Sequence, residues 1–161
     1  EETFGKYIPE EKIPEAVNEY RKYYKSGAIY KNKLYDGMND LLKYLYEKGC
    51  RSYIATTKER GSSIEIAERF GISKYLAGVY GTSPKDGIYT KTDVLNHLFE
   101  ENGLDKEESI MVGDTMYDAE GAKNIGIDLG VVLYGFGKRE VMAAQEAVFY
   151  AETVSEIKNY L

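Results

Sequence analysis

From residue 38 onward the sequence alternates between short apolar runs and amphipathic stretches, and it keeps that alternation to its end. Leu41, Leu42 and Leu45 recur at helical spacing and predict a helix over 38–48, stopped by Gly49 and followed by a strand over 53–55. The unit then returns as a helix over 62–70 closed by Gly71, a strand over 76–80, a helix over 92–102 closed by Gly103 and a strand over 109–112. A helix over 117–124, a strand over 130–133, a short helix over 138–145, a strand over 147–150 and a last helix from 153 complete it. Strands separated by roughly 10 to 15 helical residues are the mark of a parallel α/β sheet. Ahead of this, Ile13, Val17, Tyr20 and Tyr24 place an amphipathic helix over 12–25, with Pro14 in its first turn and Ser26-Gly27 at its end.

Length and composition bound the possible functions. The 161 residues, 43% of them hydrophobic, suffice for one domain with a small appendage. A net charge of -6, with no lysine or arginine run, argues against nucleic acid as a partner. The apolar runs fall far short of the ~20 residues a membrane helix needs, so no membrane partner is expected. The single cysteine, Cys50, excludes an internal disulfide framework and reads as a small buried hydrophobe at a strand start.

In a parallel α/β sheet ligands bind beyond the carboxyl ends of the strands, so the polar residues that follow apolar runs matter most. Three places qualify: Thr56-Thr57-Lys58, Gly113-Asp114 and Tyr134-Gly135-Phe136-Gly137. Asp114 at a strand end and Asp118 in the first turn of the next helix can direct two carboxylates into one crevice, a hard-oxygen donor set that suits Mg²⁺. The plain alternative is that Asp118 caps its helix. Lys91 heads the helix over 92–102, where a cation opposes the helix dipole, so its placement needs a cause.

Together these residues carry a resemblance. The stretch "LYDGMNDLLKYLYEKGCRSYIATTKERGSSIEIAERFGISKYLAGVYG" is similar to the segment around the second motif of the haloacid dehalogenase-like phosphatases. "GIYTKTDVLNHLFEENGL" resembles their third motif, and "SIMVGDTMYDAEGAKNIGI" their fourth. The resemblance is to the branch that includes phosphoglycolate phosphatase. It implies a Rossmann-like three-layer α/β core over 35–161 and, in residues 1–34, the C-terminal part of a helical cap. It also implies a Mg²⁺-dependent cytoplasmic phosphomonoesterase acting on a small phosphorylated metabolite through an aspartyl-phosphate. By carry-over Thr56, Lys91 and Asp114 are catalytic, Thr56, Thr57 and Lys91 bind the phosphoryl group, and Asp114 and Asp118 hold the metal.

Two departures accompany it. Thr92-Asp93 stands where the family often has Lys-Pro after its third-motif lysine, and no Asp-x-Asp occurs among these residues, although the family's first strand carries its nucleophile there. That strand lies in the family between the one ending at Thr56 and the one ending at Asp114. The expectation is therefore a chain that lacks an N-terminal segment of the same protein, inactive alone and poorly stable without the strand. Two other readings are a catalytically silent relative serving as an interaction module, and a receiver-like phospho-binding module; receivers, however, place their acids before the threonine and lysine, the reverse of the order here. Arg21 and Lys22 are the cap's candidates for substrate contact, against the ordinary reading of a solvated helix face, and His97 reads as a surface or half-buried residue.

Overall fold

The computed structural model describes residues 2–161, setting aside the side chains of Glu2, Thr3, Arg21 and Lys25. The chain forms two compact units, Glu1–Lys33 and Leu34–Leu161.

The first unit is helical. It comprises α1 (Glu2–Gly5), a 3₁₀ turn over Glu10–Lys12, α2 (Ile13–Lys25) and a second 3₁₀ turn over Ala28–Tyr30. Tyr20 and Tyr24, one helical turn apart, stack with ring centroids 5.9 Å apart, and Phe4 meets Tyr20 edge-on at 6.1 Å. Lys22 pairs with Glu19 at 2.6 Å on an exposed face. The side chain of Arg21 lies outside the described residues.

The second unit runs α3 (Met38–Glu47), β1 (Ser52–Glu59), α4 (Arg60–Arg69), β2 (Leu76–Thr82), α5 (Lys91–Asn102), β3 (Ile110–Gly113), α6 (Met116–Ile125), β4 (Asp128–Val132), α7 (Arg139–Ala143) and β5 (Phe149–Ala151). The pairings among these five strands are all parallel, and the fold is the α/β class expected from the alternation. β4 is buried on both faces, as a central parallel strand requires. Leu129 and Val131 pack with Ala119 and Ala122 of α6 and Met142 of α7, while Val132 packs with Leu41 and Leu45 of α3, Phe149 and Ile157. Helices thus cover the two sides of one strand, alternate residues facing each.

Among the described residues the strands form two ladders, β1-β2 and β3-β4-β5, and no ladder joins β1 to β3. Tyr53, Ile54 and Ala55 of β1 and Ile110, Met111 and Val112 of β3 are apolar runs, yet they are only half-buried, whereas Leu129 through Val132 of β4 are buried. Unpaired strand edges explain the difference.

Several boundaries shift for local reasons. β1 continues to Glu59, so Thr56, Thr57 and Lys58 lie within a strand rather than in the loop after it. The following helix starts at Arg60 because the Glu59 carboxylate caps it, accepting from the amides of Gly61 and Ser62 at 3.0 Å each. The terminal helix is a 3₁₀ segment, Val154–Asn159. Cys50 is exposed, contrary to the buried position expected of it: it lies in the turn between Gly49 and β1, where its amide bonds back to the Leu45 carbonyl at 2.9 Å. No helix among the described residues is long and apolar enough to cross a membrane.

Candidate active site

The fourth-motif acids sit at the junction of β3 and α6. Thr115 caps α6 and Asp118, at the third helical position, completes a capping box. Oδ2 of Asp118 accepts from the Thr115 amide at 3.0 Å, the Thr115 hydroxyl at 2.8 Å and the Asp114 amide at 3.3 Å. Gly113 makes this possible, since a Cβ there would collide with the Asp118 side chain.

Lys91 is the first residue of α5, behind Thr90, which forms a second capping box with Asp93. The lysine is buried, at 8% exposure. Its Nζ lies 2.8 Å from Oδ1 of Asp118 and donates to the Ala55 carbonyl at 2.6 Å. The cation at the wrong end of a helix therefore has a specific cause: a buried carboxylate and a strand carbonyl replace water around it. Through it the strand that carries Thr56 is tied to the helix that carries Asp118.

Both oxygens of Asp118 are thus engaged by protein groups, and the capping role considered for it in the sequence is one it performs. Asp114 differs. It is half-buried; its Oδ2 accepts from the Phe136 amide at 2.7 Å, and among the described residues no donor reaches Oδ1. Thr56 is half-buried, its hydroxyl oxygen accepting from the Lys58 amide at 3.2 Å, which leaves its O–H proton available to a ligand. Thr57 is exposed, and its carbonyl accepts from the Thr82 hydroxyl at 3.4 Å.

Tyr35 had no place in the sequence reading of the site, and Tyr134 entered it only as the first residue of the loop after the strand over 130–133. Their rings meet edge-to-face at 5.0 Å. Burial, then Tyr35 and the Asp114 carboxylate, push the Tyr134 phenol up to about 12. Burial and then Asp114 raise Tyr35 as well. Both phenols stay protonated beside the acid. No spacing rule links Tyr35 to Asp114, which is remote in sequence; only the fold brings them together.

As a metal site the arrangement is partial. Among the described residues no three His, Cys, Asp or Glu side chains gather around one point. Asp114 with its open oxygen fits one position of a hard cation such as Mg²⁺, which takes one or two carboxylates and fills its shell with water and substrate phosphate. An open groove of about 630 Å³ along α5, lined by Arg60, Asp86, Asp93, His97, Glu100 and Glu101 among others, contains none of Thr56, Lys91 or Asp114. Its excess of carboxylates makes it a poor receptor for phosphate.

Comparison with known proteins decides the family. Residues 1–132 match the family described as haloacid dehalogenase-like hydrolase. The chain belongs to the haloacid dehalogenase-like hydrolases. The chain is 33% identical to a 5'-nucleotidase of Pseudomonas aeruginosa over 99% of its own length and 72% of that protein. It is 32% identical to the tyrosine-protein kinase PtkA of Mycobacterium tuberculosis, over 94% of this chain and 53% of the relative, and 29% identical to a phosphoglycolate phosphatase of Vibrio parahaemolyticus, over 84% and 59%. The chain therefore spans about half to three quarters of the length of these curated relatives. Among solved structures, a haloacid dehalogenase-like hydrolase, SP0104 of Streptococcus pneumoniae, superposes with a TM-score of 0.92 at 31% identity, over 99% of this chain and 74% of that one.

Proposed function

We propose that this chain is the greater part of a cytoplasmic, Mg²⁺-dependent phosphomonoesterase of the phosphoglycolate phosphatase-like branch, acting on a small phosphorylated metabolite. The observation that carries the reading is the position of the Lys91 ammonium, buried between Asp118 and the carbonyl of Ala55, the β1 residue that precedes Thr56. A buried cation held next to the Thr56 position is what a transferring phosphoryl group requires, because that chemistry depends on positioning and charge neutralisation far more than on proton transfer.

In this reading the Thr56 hydroxyl donates to a phosphoryl oxygen, with the exposed Thr57 beside it at the rim. Lys91 offsets the charge of phosphate and nucleophile. Asp114 contributes one carboxylate oxygen to the metal. Asp118 holds Lys91 and the start of α6 in place, serving the metal shell at most through water. The chemistry that bound Mg²⁺ supplies is neutralisation of developing charge on the phosphoryl oxygens. The helical unit Glu1–Lys33 is read as the C-terminal part of the cap.

The attacking aspartate is assigned to a strand outside these 161 residues that pairs with the free edges of β1 and β3. That the two ladders are separate supports this assignment. A catalytically silent scaffold is the competing reading. The test is release of inorganic phosphate from a panel of phosphomonoesters by the longer polypeptide carrying such a strand, with Mg²⁺ and with chelator. Chelator-sensitive turnover of any member supports the enzyme; none on any member supports the scaffold.

A further inference from the structure

The loop Gly135-Phe136-Gly137 joins β4 to α7 and lies directly against Asp114. A Cβ on Gly135 would collide with the Asp114 side chain, and one on Gly137 would collide with the Asp114 carbonyl and stand 2.9 Å from Cγ of Met142. Met142, at 1% exposure, is part of the core, so the loop has rigid neighbours on both sides. Two glycines are what this approach demands. Phe136 between them is 92% exposed, so its ring does not anchor the loop. Its backbone does: the Phe136 N–H donates to Oδ2 of Asp114 at 2.7 Å, within the range of a charge-assisted bond.

This contact has a chemical consequence. An aspartate at a strand end has two oxygens and a rotatable carboxyl group, and either oxygen can turn toward a cation. With Oδ2 taken by a fixed amide, the carboxylate is held in one orientation and Oδ1 is the oxygen left over. We infer that Gly135-Phe136-Gly137 is a positioning loop for the metal-facing carboxylate, its backbone amide selecting which oxygen of Asp114 meets the cation. The inference rests on the proposed role of Asp114 as a metal ligand. The loop's role is exerted through Asp114, in the manner of hydrogen-bonding partners behind metal ligands elsewhere.

The test uses the longer polypeptide that carries the additional strand, with Mn²⁺ as the probe, reading paramagnetic broadening of backbone amide resonances around Asp114 together with hydrogen exchange at the Phe136 amide; no broadening near Asp114 in that parent protein overturns the reading of Asp114 as ligand. In the parent sequence the Phe136 amide is expected to be protected despite its exposed side chain, and Asp114→Ala is expected to abolish both that protection and the local broadening. Gly135→Ala is expected to weaken Mn²⁺ binding about 10- to 100-fold, the range found when partners of metal ligands are removed, while amides of β4 and β5 keep their resonances. Broadening that survives Asp114→Ala overturns the reading of Asp114 as ligand, and this inference with it. Broadening that needs Asp114 but is unmoved by Gly135→Ala overturns the loop's role alone. If Gly135→Ala does not fold, the exchange comparison decides: a Phe136 amide that exchanges as freely in the parent chain as in Asp114→Ala contradicts the inference.

Discussion

Nζ of Lys91 and Oδ1 of Asp118 stand 2.8 Å apart with both side chains only 9% exposed, and the pair joins the first helical position of α5 to the third of α6. Burying two charges costs several kcal/mol each, offset here by the Ala55 carbonyl on one side and the Thr115 amide and hydroxyl on the other. Removing one partner strands the other. Lys91→Met or Asp118→Asn is therefore expected to destabilise the fold by about 3–5 kcal/mol, and the double variant by clearly less than the sum. Urea unfolding of the four proteins measures this, and additive losses would mean the pair is not coupled.

The capping box on α6 predicts a smaller effect. Thr115→Ala removes a hydroxyl that donates to Asp118 at 2.8 Å, and is expected to cost about 0.5–2 kcal/mol in the same assay. The box on α5 has a pH signature. The amides of Thr90 and Tyr89 and the Thr90 hydroxyl hold the Asp93 carboxyl below its ordinary 3.8. A depressed carboxyl adds stability that is present above the unfolded value and lost as pH falls through the folded one. Asp93→Asn is thus expected to flatten the stability profile below about pH 4, and an unchanged slope there would count against the box.

Tyr134 gives the alkaline counterpart. Its phenol is raised to about 12 by burial first, then by Tyr35 and Asp114. A group with a raised value stabilises the fold fully below its unfolded value, near 10, and that contribution disappears as pH climbs through the folded value. Tyr134→Phe is expected to remove part of the stability loss between about pH 10 and 12. The phenolate absorbance difference between the two proteins should rise near 12 rather than near 10.

The split between ladders predicts an exchange pattern. β4 pairs on both sides, β1 and β3 on one side each. Successive amides of a strand point to opposite neighbours, so β4 should be protected throughout and β1 and β3 only at alternate residues. Uniform protection along β1 and β3 would mean that their outer edges are already paired.

The fold was legible because its signals are periodic. Leu41 and Leu45 on α3, and the apolar run at 109–112, announce a helix and a strand whatever surrounds them. β1 was under-read because its outer half, Thr56 to Glu59, is polar and resembles a loop; pairing with β2 as far as Thr82 makes it strand. Lys91 and Asp114 were visible as side chains of telling type in telling places. Two features were not. Tyr35 reaches Asp114 only through tertiary folding, and the Phe136 amide is a backbone group to which any residue contributes alike, so no residue type marks it. The neighbouring glycines were the available trace, legible as a strand-to-helix loop whose amides line the rim of the site, but with nothing to name Asp114 as the partner of one of them.

The most direct test of the proposed function is the rate of Mg²⁺-dependent phosphate release by the longer polypeptide, compared with the same protein carrying Lys91→Ala. With Lys91 neutralising charge at the phosphoryl group, the substitution is expected to lower kcat by about 10²- to 10³-fold in a protein that still folds. Turnover that persists at the parental rate in the folded variant would contradict the account, since the buried ammonium would then have no part in the chemistry.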